Sequence, residues 1–138
     1  MAMQQRQPRT GLKGSNTMNE RTAPLAICLE RIEQRWTAHV VELPGCSVTA
    51  ESPDACLARL PEAIRRVEGV LGITDSAADR EPTVIEQIIG WEPEPRFEIN
   101  AFFASDAIPL TEDDVERATL VLADSRADLQ AAIAGLTS

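Results

Sequence analysis

Apolar and polar positions along the chain divide it into short alternating runs and two long stripes. LAICLERI, residues 25–32, starts apolar and alternates loosely, with Leu25, Ile27 and Leu29 sharing one face of a strand. Glu33-Gln34 is a polar break short enough for a hairpin turn. RWTAHVVEL, residues 35–43, then supplies a second strand rich in β-branched residues and Trp36. Pro44-Gly45 ends it, because proline cannot donate to a ladder and glycine permits a tight bend. Residues 46–50, CSVTA, form a short third strand. TVIEQIIGW, residues 83–91, is a fourth after a polar loop over 73–82, and RFEINAFF, residues 96–103, alternates as a possible fifth.

Two helices are written with their own start and stop signals. Ser52 caps the first, Pro53 suits its first position, Asp54 meets the positive dipole end and Gly72 stops it. Cys56, Leu57, Leu60, Ala63, Ile64, Val67, Val70 and Leu71 recur with a period of about 3.6 residues, while Arg59, Arg65, Arg66 and Glu68 fall largely off that stripe. Pro61 interrupts the pattern and predicts a bend near Ala58–Pro61. The second helix starts at Thr111, with Asp114 as the reciprocal acid of a capping box and carboxylates at Glu112, Asp113 and Asp114 in its first turn. It is expected to run over 112–134 with Gly135 as its stop. Val115, Ala118, Leu122, Ser125, Leu129, Ala132 and Leu136 recur at alternating spacings of three and four, with Ile133 alongside, as in a helix that packs against helices. Such a stripe needs a cover: this domain, another chain, or further helices of a longer protein.

These elements predict an α+β fold. A small, mainly antiparallel sheet in the order β-β-β-α-β carries one packed helix, and a long C-terminal helix stands apart. The core is expected to draw on Leu25, Ile27, Leu29, Val40, Val48, Val84, Ile88 and the first helix's stripe. The expected organisation is a disordered leader over 1–22, a domain over 23–92, a linker or short strand over 93–110, and the amphipathic helix over 111–136.

Charge and composition narrow the function. With 138 residues the chain has material for one core of ordinary size. The net charge is -9, unevenly placed: residues 1–22 carry +3 and the remainder -12. An acidic body repels phosphate, which argues against a nucleic-acid face. The absence of tyrosine also removes much of the stacking surface a single-strand RNA binder uses. No apolar run approaches the roughly 18–20 residues of a membrane span, and the N-terminal residues lack the apolar core of a secretory signal. A cytoplasmic protein is expected. The three cysteines Cys28, Cys46 and Cys56 are an odd number, read as reduced, mostly buried thiols.

Residues 38–64, AHVVELPGCSVTAESPDACLARLPEAI, resemble the HicB-like family of antitoxin-related domains, over roughly residues 25–90. The likeness is carried by the hairpin, the turn Leu43-Pro44-Gly45-Cys46, the short strand after it, and a helix capped by a hydroxyl residue. Ala50 replaces a glycine usual before the cap, Asp54-Ala55 replaces paired acids, and Glu42 replaces an aspartate. Family members block a small RNA-cleaving toxin, and many add a C-terminal DNA-binding module. The tail here has no such pattern. Instead, residues 100–136 are similar to the first helix of DinB-like four-helix bundles, which often bind a divalent metal through histidines on later helices.

The resemblance therefore implies a non-catalytic, protein-binding or regulatory module, associated with a DinB-like bundle. One alternative is the antitoxin of a toxin–antitoxin pair; another is a fragment of a DinB-like metal-dependent enzyme. The expected partners are a protein or an adjacent helical domain, with self-association through helix 112–134. No membrane, nucleic acid, metal or cofactor is expected.

The residues with chemical potential have plainer readings. His39, the only histidine, sits on a strand where packing or hydrogen bonding explains it. Cys46 has no basic neighbour in sequence to activate it. A zinc site from His39, Cys46 and Cys56 matches no common spacing. The acids at 112–114 suit a helix start without a metal. Trp36 and Trp91 read as packing groups. No catalytic, cofactor-binding or metal residue is assigned.

Overall fold

The computed structural model describes residues 23–90 and 102–136. Strands β1 (Leu25–Ile32), β2 (Arg35–Val40) and β3 (Ser47–Ala50) precede helix α1 (Pro53–Leu71) and strand β4 (Pro82–Ile89). A 3-10 turn (Ala104–Ala107) leads to helix α2 (Glu112–Leu136). The sheet order is β3-β2-β1-β4, antiparallel across β3-β2-β1, with β4 added parallel to β1. This is the expected α+β architecture, with helix α1 packed on β2 and β3. Trp91 and residues 96–101 of the possible fifth strand lie outside the described residues.

The hairpin turns on two residues, and Glu33 adopts φ of 52° to make it. That left-handed conformation is one a non-glycine residue occupies at a cost. Arg31 Nε donates to the Glu33 carbonyl at 2.9 Å, and its guanidinium lies 5.9 Å from the Trp36 ring.

Pairing in the sheet fixes which residues share a face. Ile27 sits opposite Val40, Leu29 opposite Ala38, and Ala38 opposite Val48. All of these point toward α1, where Leu25, Ile27 and Leu29 meet Cys56, Leu60 and Ile64 in the buried core. A register shift in β1·β4 follows the Ile27–Val84 pair, so that Cys28 sits opposite Glu86. Ile85 is the extra residue of a bulge there. Strand alternation therefore reverses along β4. The expected core positions Val84 and Ile88 fall on opposite faces; Val84 is 40% exposed, and Ile88 shares the outer face with Glu30. Neither is buried, since β4 lies at the sheet edge, beyond the cover of α1.

Helix α1 has the ends its sequence prescribes. Ser52 Oγ accepts the Ala55 N–H at 3.1 Å. Gly72 takes φ of 68°, its N–H reaches the Gly69 carbonyl, and the Ile73 N–H donates to the Glu68 carbonyl at 2.9 Å. That pair of bonds is a Schellman close. The helix is continuous through Pro61. Glu68 is a correction: it lies off the apolar stripe yet is buried. Its carboxylate accepts Ser76 Oγ at 2.5 Å and the Ala77 N–H at 2.6 Å, and so organises the loop after the helix.

Helix α2 begins as expected. Asp114 Oδ2 accepts from the Thr111 N–H at 2.8 Å and the Thr111 hydroxyl at 2.7 Å, while Thr111 Oγ1 accepts the Asp114 N–H. The helix runs through Gly135 to Leu136, so Gly135 is not its stop. It touches the domain along one side only. Val121 packs on the core cluster, and Arg66 of α1 ion-pairs with Asp128. Val115, Leu122, Leu129 and Leu136 are 52%, 70%, 61% and 86% exposed. The large residues of the stripe are therefore left mostly uncovered by the domain, while Ala118 is half-buried and Ser125 lines a cleft beside α1. Among the described residues no helix is long and apolar enough to cross a membrane.

Candidate functional site

The outer face of the sheet, opposite α1, holds the chain's histidine and one of its cysteines. Cys28 and His39 face each other across β1 and β2. His39 Nε2 lies 3.1 Å from Glu30 Oε1, with the carboxylate side chain 14% exposed. His39 thus has a hydrogen-bonding partner on the strand surface, the role read from sequence.

Residues 102–111 run across this face. Phe103 is buried, its ring 5.6 Å from that of His39 at a tilt of 58°. The Ala104 N–H donates to Glu86 Oε2 at 2.9 Å, and the Phe103 N–H donates to Asp106 Oδ2 at 2.9 Å. The Ser105 side chain lies near Cys28 and partly opposes the rise of its thiol pKa. These contacts anchor part of the segment expected to be a linker or short strand over 93–110.

Between this segment, the outer strand face and the turn Leu43–Cys46 lies an open cleft of about 780 Å³. The turn forms one wall, closed by the Cys46 N–H donating to the Leu43 carbonyl at 3.0 Å. Leu43 and Cys46 themselves point into the core. Among the described residues the cleft's charged lining is Glu30, Asp106 and Asp114, with His39, and no lysine or arginine lines it. Ile108 and Leu110 add apolar surface, 67% and 72% exposed.

The thiols here are poor nucleophiles. Burial pushes the Cys46 thiol up to about 11, and the nearby Glu68 carboxylate adds to the shift. Burial likewise raises Cys28 and Cys56, against hydrogen bonds that partly oppose it. All three cysteines are free and protonated at neutral pH. The structure also separates the residues of the conceivable zinc site. His39 faces the cleft, whereas Cys56 lies in the core with its Sγ donating to the Trp36 carbonyl at 3.3 Å. Among the described residues no group of three or more His, Cys, Asp or Glu is placed to hold a metal ion. Of the acids at 112–114, Asp113 pairs with Arg117 at 3.1 Å and Asp114 closes the helix cap.

Sequence reasoning did not anticipate Phe103, Ser105 and Asp106 as partners of the outer face. Their signal was local and slight: an acid three residues after Phe103, able to close the 3-10 turn. No protein-family model matches the chain, and no curated protein or solved structure matches it.

Proposed function

We propose that this chain is a non-catalytic protein-binding module of the HicB-like kind, and that α2 is its contact element. The observation that carries the reading is the stripe of α2, whose large apolar side chains Val115, Leu122, Leu129 and Leu136 stay more than half exposed. A helix stays stable mainly through packing of its apolar face. This stripe therefore calls for a cover, and the likeness of residues 100–136 to a bundle helix supports helix-on-helix packing as its form.

The occupant is a second copy of α2, laid antiparallel. Large residues at 115, 122 and 129 alternate with Ala118, Ser125 and Ala132 at spacings of three and four. Antiparallel pairing sets a large residue against a small one in each layer: Val115 on Ala132, Leu122 on Ser125, and Leu129 on Ala118. Parallel pairing would instead crowd two sets of Glu112, Asp113 and Asp114 together at one end.

Sedimentation equilibrium of the full chain tests this. Self-association in the micromolar range is expected, and Leu122→Glu with Leu129→Glu should abolish it while leaving the thermal midpoint of the domain in place. A wild-type monomer throughout that range, or a dimer untouched by the double substitution, overturns the reading.

A further inference from the structure

We infer that the cleft on the outer face of the sheet is a docking groove for the chain's own basic segment, residues 1–22. The argument rests on charge, on apolar surface and on where that segment joins the body.

The charges are complementary. Among the described residues, three carboxylates, Glu30, Asp106 and Asp114, line the cleft and no lysine or arginine does. Arg80, beside the turn, is already engaged: it donates to the Ala23 and Pro24 carbonyls and to Glu42 Oε1. Residues 1–22 hold Arg6, Arg9, Lys13 and Arg21 against a single acid, Glu20, in a chain whose remainder is strongly acidic. A groove of one sign attracts a segment of the other, and its low-dielectric walls strengthen that attraction. Met3 and Leu12, interspersed with the cations, match the exposed Ile108 and Leu110 of the groove.

The connection point favours the same occupant. The described chain enters β1 through Ala23 and Pro24, whose carbonyls are held by the guanidinium that also holds Glu42. One step further on, the Val41 N–H donates to the Ala26 carbonyl at 3.1 Å. Val41 and Leu43, on either side of Glu42, line the cleft. The segment is thus tethered at the cleft's own wall. At about 3.3 Å per residue its reach is on the order of 70 Å, enough to lie along the groove in either direction. A short tether also gives a local concentration on the order of millimolar, so individually weak contacts suffice.

The test places a nitroxide label at Gln7→Cys in the full chain; the three native thiols are buried. Amide resonances of Val41, Ile108 and Leu110 should broaden at low salt, with those on the exposed side of α1 unaffected. Arg6→Glu, Arg9→Glu and Lys13→Glu together should remove the broadening, and high salt should weaken it. Three results overturn the inference: no broadening at the cleft, broadening spread evenly over both faces, or broadening only when labelled chains are mixed with isotope-enriched unlabelled ones, which would assign the cleft to a second copy.

Discussion

Gly45 lies directly beneath Val121: a Cβ added to it would stand 2.8 Å from Val121 Cγ1. Gly45 also has φ of +82°, which only glycine adopts without strain. One residue of the Leu43–Cys46 turn therefore serves two ends, letting the chain bend and letting α2 approach. Gly45→Ala should destabilise the protein by about 2 kcal/mol, from backbone strain of roughly 1–2 kcal/mol plus the clash. Adding Val121→Ala should recover the clash but not the strain. Chemical denaturation of the two single variants and the double variant reads the coupling; strict additivity would show that the two residues do not meet in solution.

Glu68 is the one charged side chain among the buried residues described, and its hydrogen bonds to Ser76 and Ala77 fix the loop that returns the chain to β4. Glu68→Ala should cost about 1–3 kcal/mol, since it leaves the half-buried Ala77 N–H without its partner and opens space beneath the loop. Hydrogen exchange at Ala77 and Ala78 should rise first. Unchanged exchange there would sink this account.

Glu33 offers the opposite change. Its positive φ makes Glu33→Gly stabilising by about 0.5–1 kcal/mol, because the strain relieved exceeds the entropy added to the unfolded chain. Thermal unfolding should show a rise of a few degrees.

Alkaline pH should weaken the fold. The Cys46 thiol, ordinarily near 9, is held at about 11 in the folded protein. A thiol raised in this way keeps its proton when folded and loses it sooner when unfolded. Its stabilising contribution is complete below pH 9 and falls as pH rises toward 11. Denaturation midpoints at pH 8, 9.5 and 11 should therefore decline, and Cys46→Ala should flatten the slope. Reaction of the three thiols with a disulfide reagent at neutral pH should wait on unfolding.

Much of the fold was legible because its signals are local. Ser52, Pro53 and Gly72 bounded α1, Thr111 and Asp114 opened α2, and the shared face of Leu25, Ile27 and Leu29 marked residues 25–32 as a strand despite loose alternation. Each involves backbone groups within a few residues, where capping and periodicity act. Gly135 misled, since a glycine can remain helical where nothing requires the chain to turn. Val84 and Ile88 misled for another reason: the bulge at Ile85 depends on the partner strand, and no pattern within β4 reveals it.

The sequence by itself determined the element order, the α1 core stripe and the unequal charge of leader and body. Periodicity, caps and charge are properties of the chain read along its length. Only the tertiary structure decided that Phe103 and Ser105 lie on the His39 face, that Glu68 is buried, and that the large residues of the α2 stripe stay exposed. Each depends on contacts between residues far apart in the chain, whose closure rests on the packing of the whole domain rather than on any local preference.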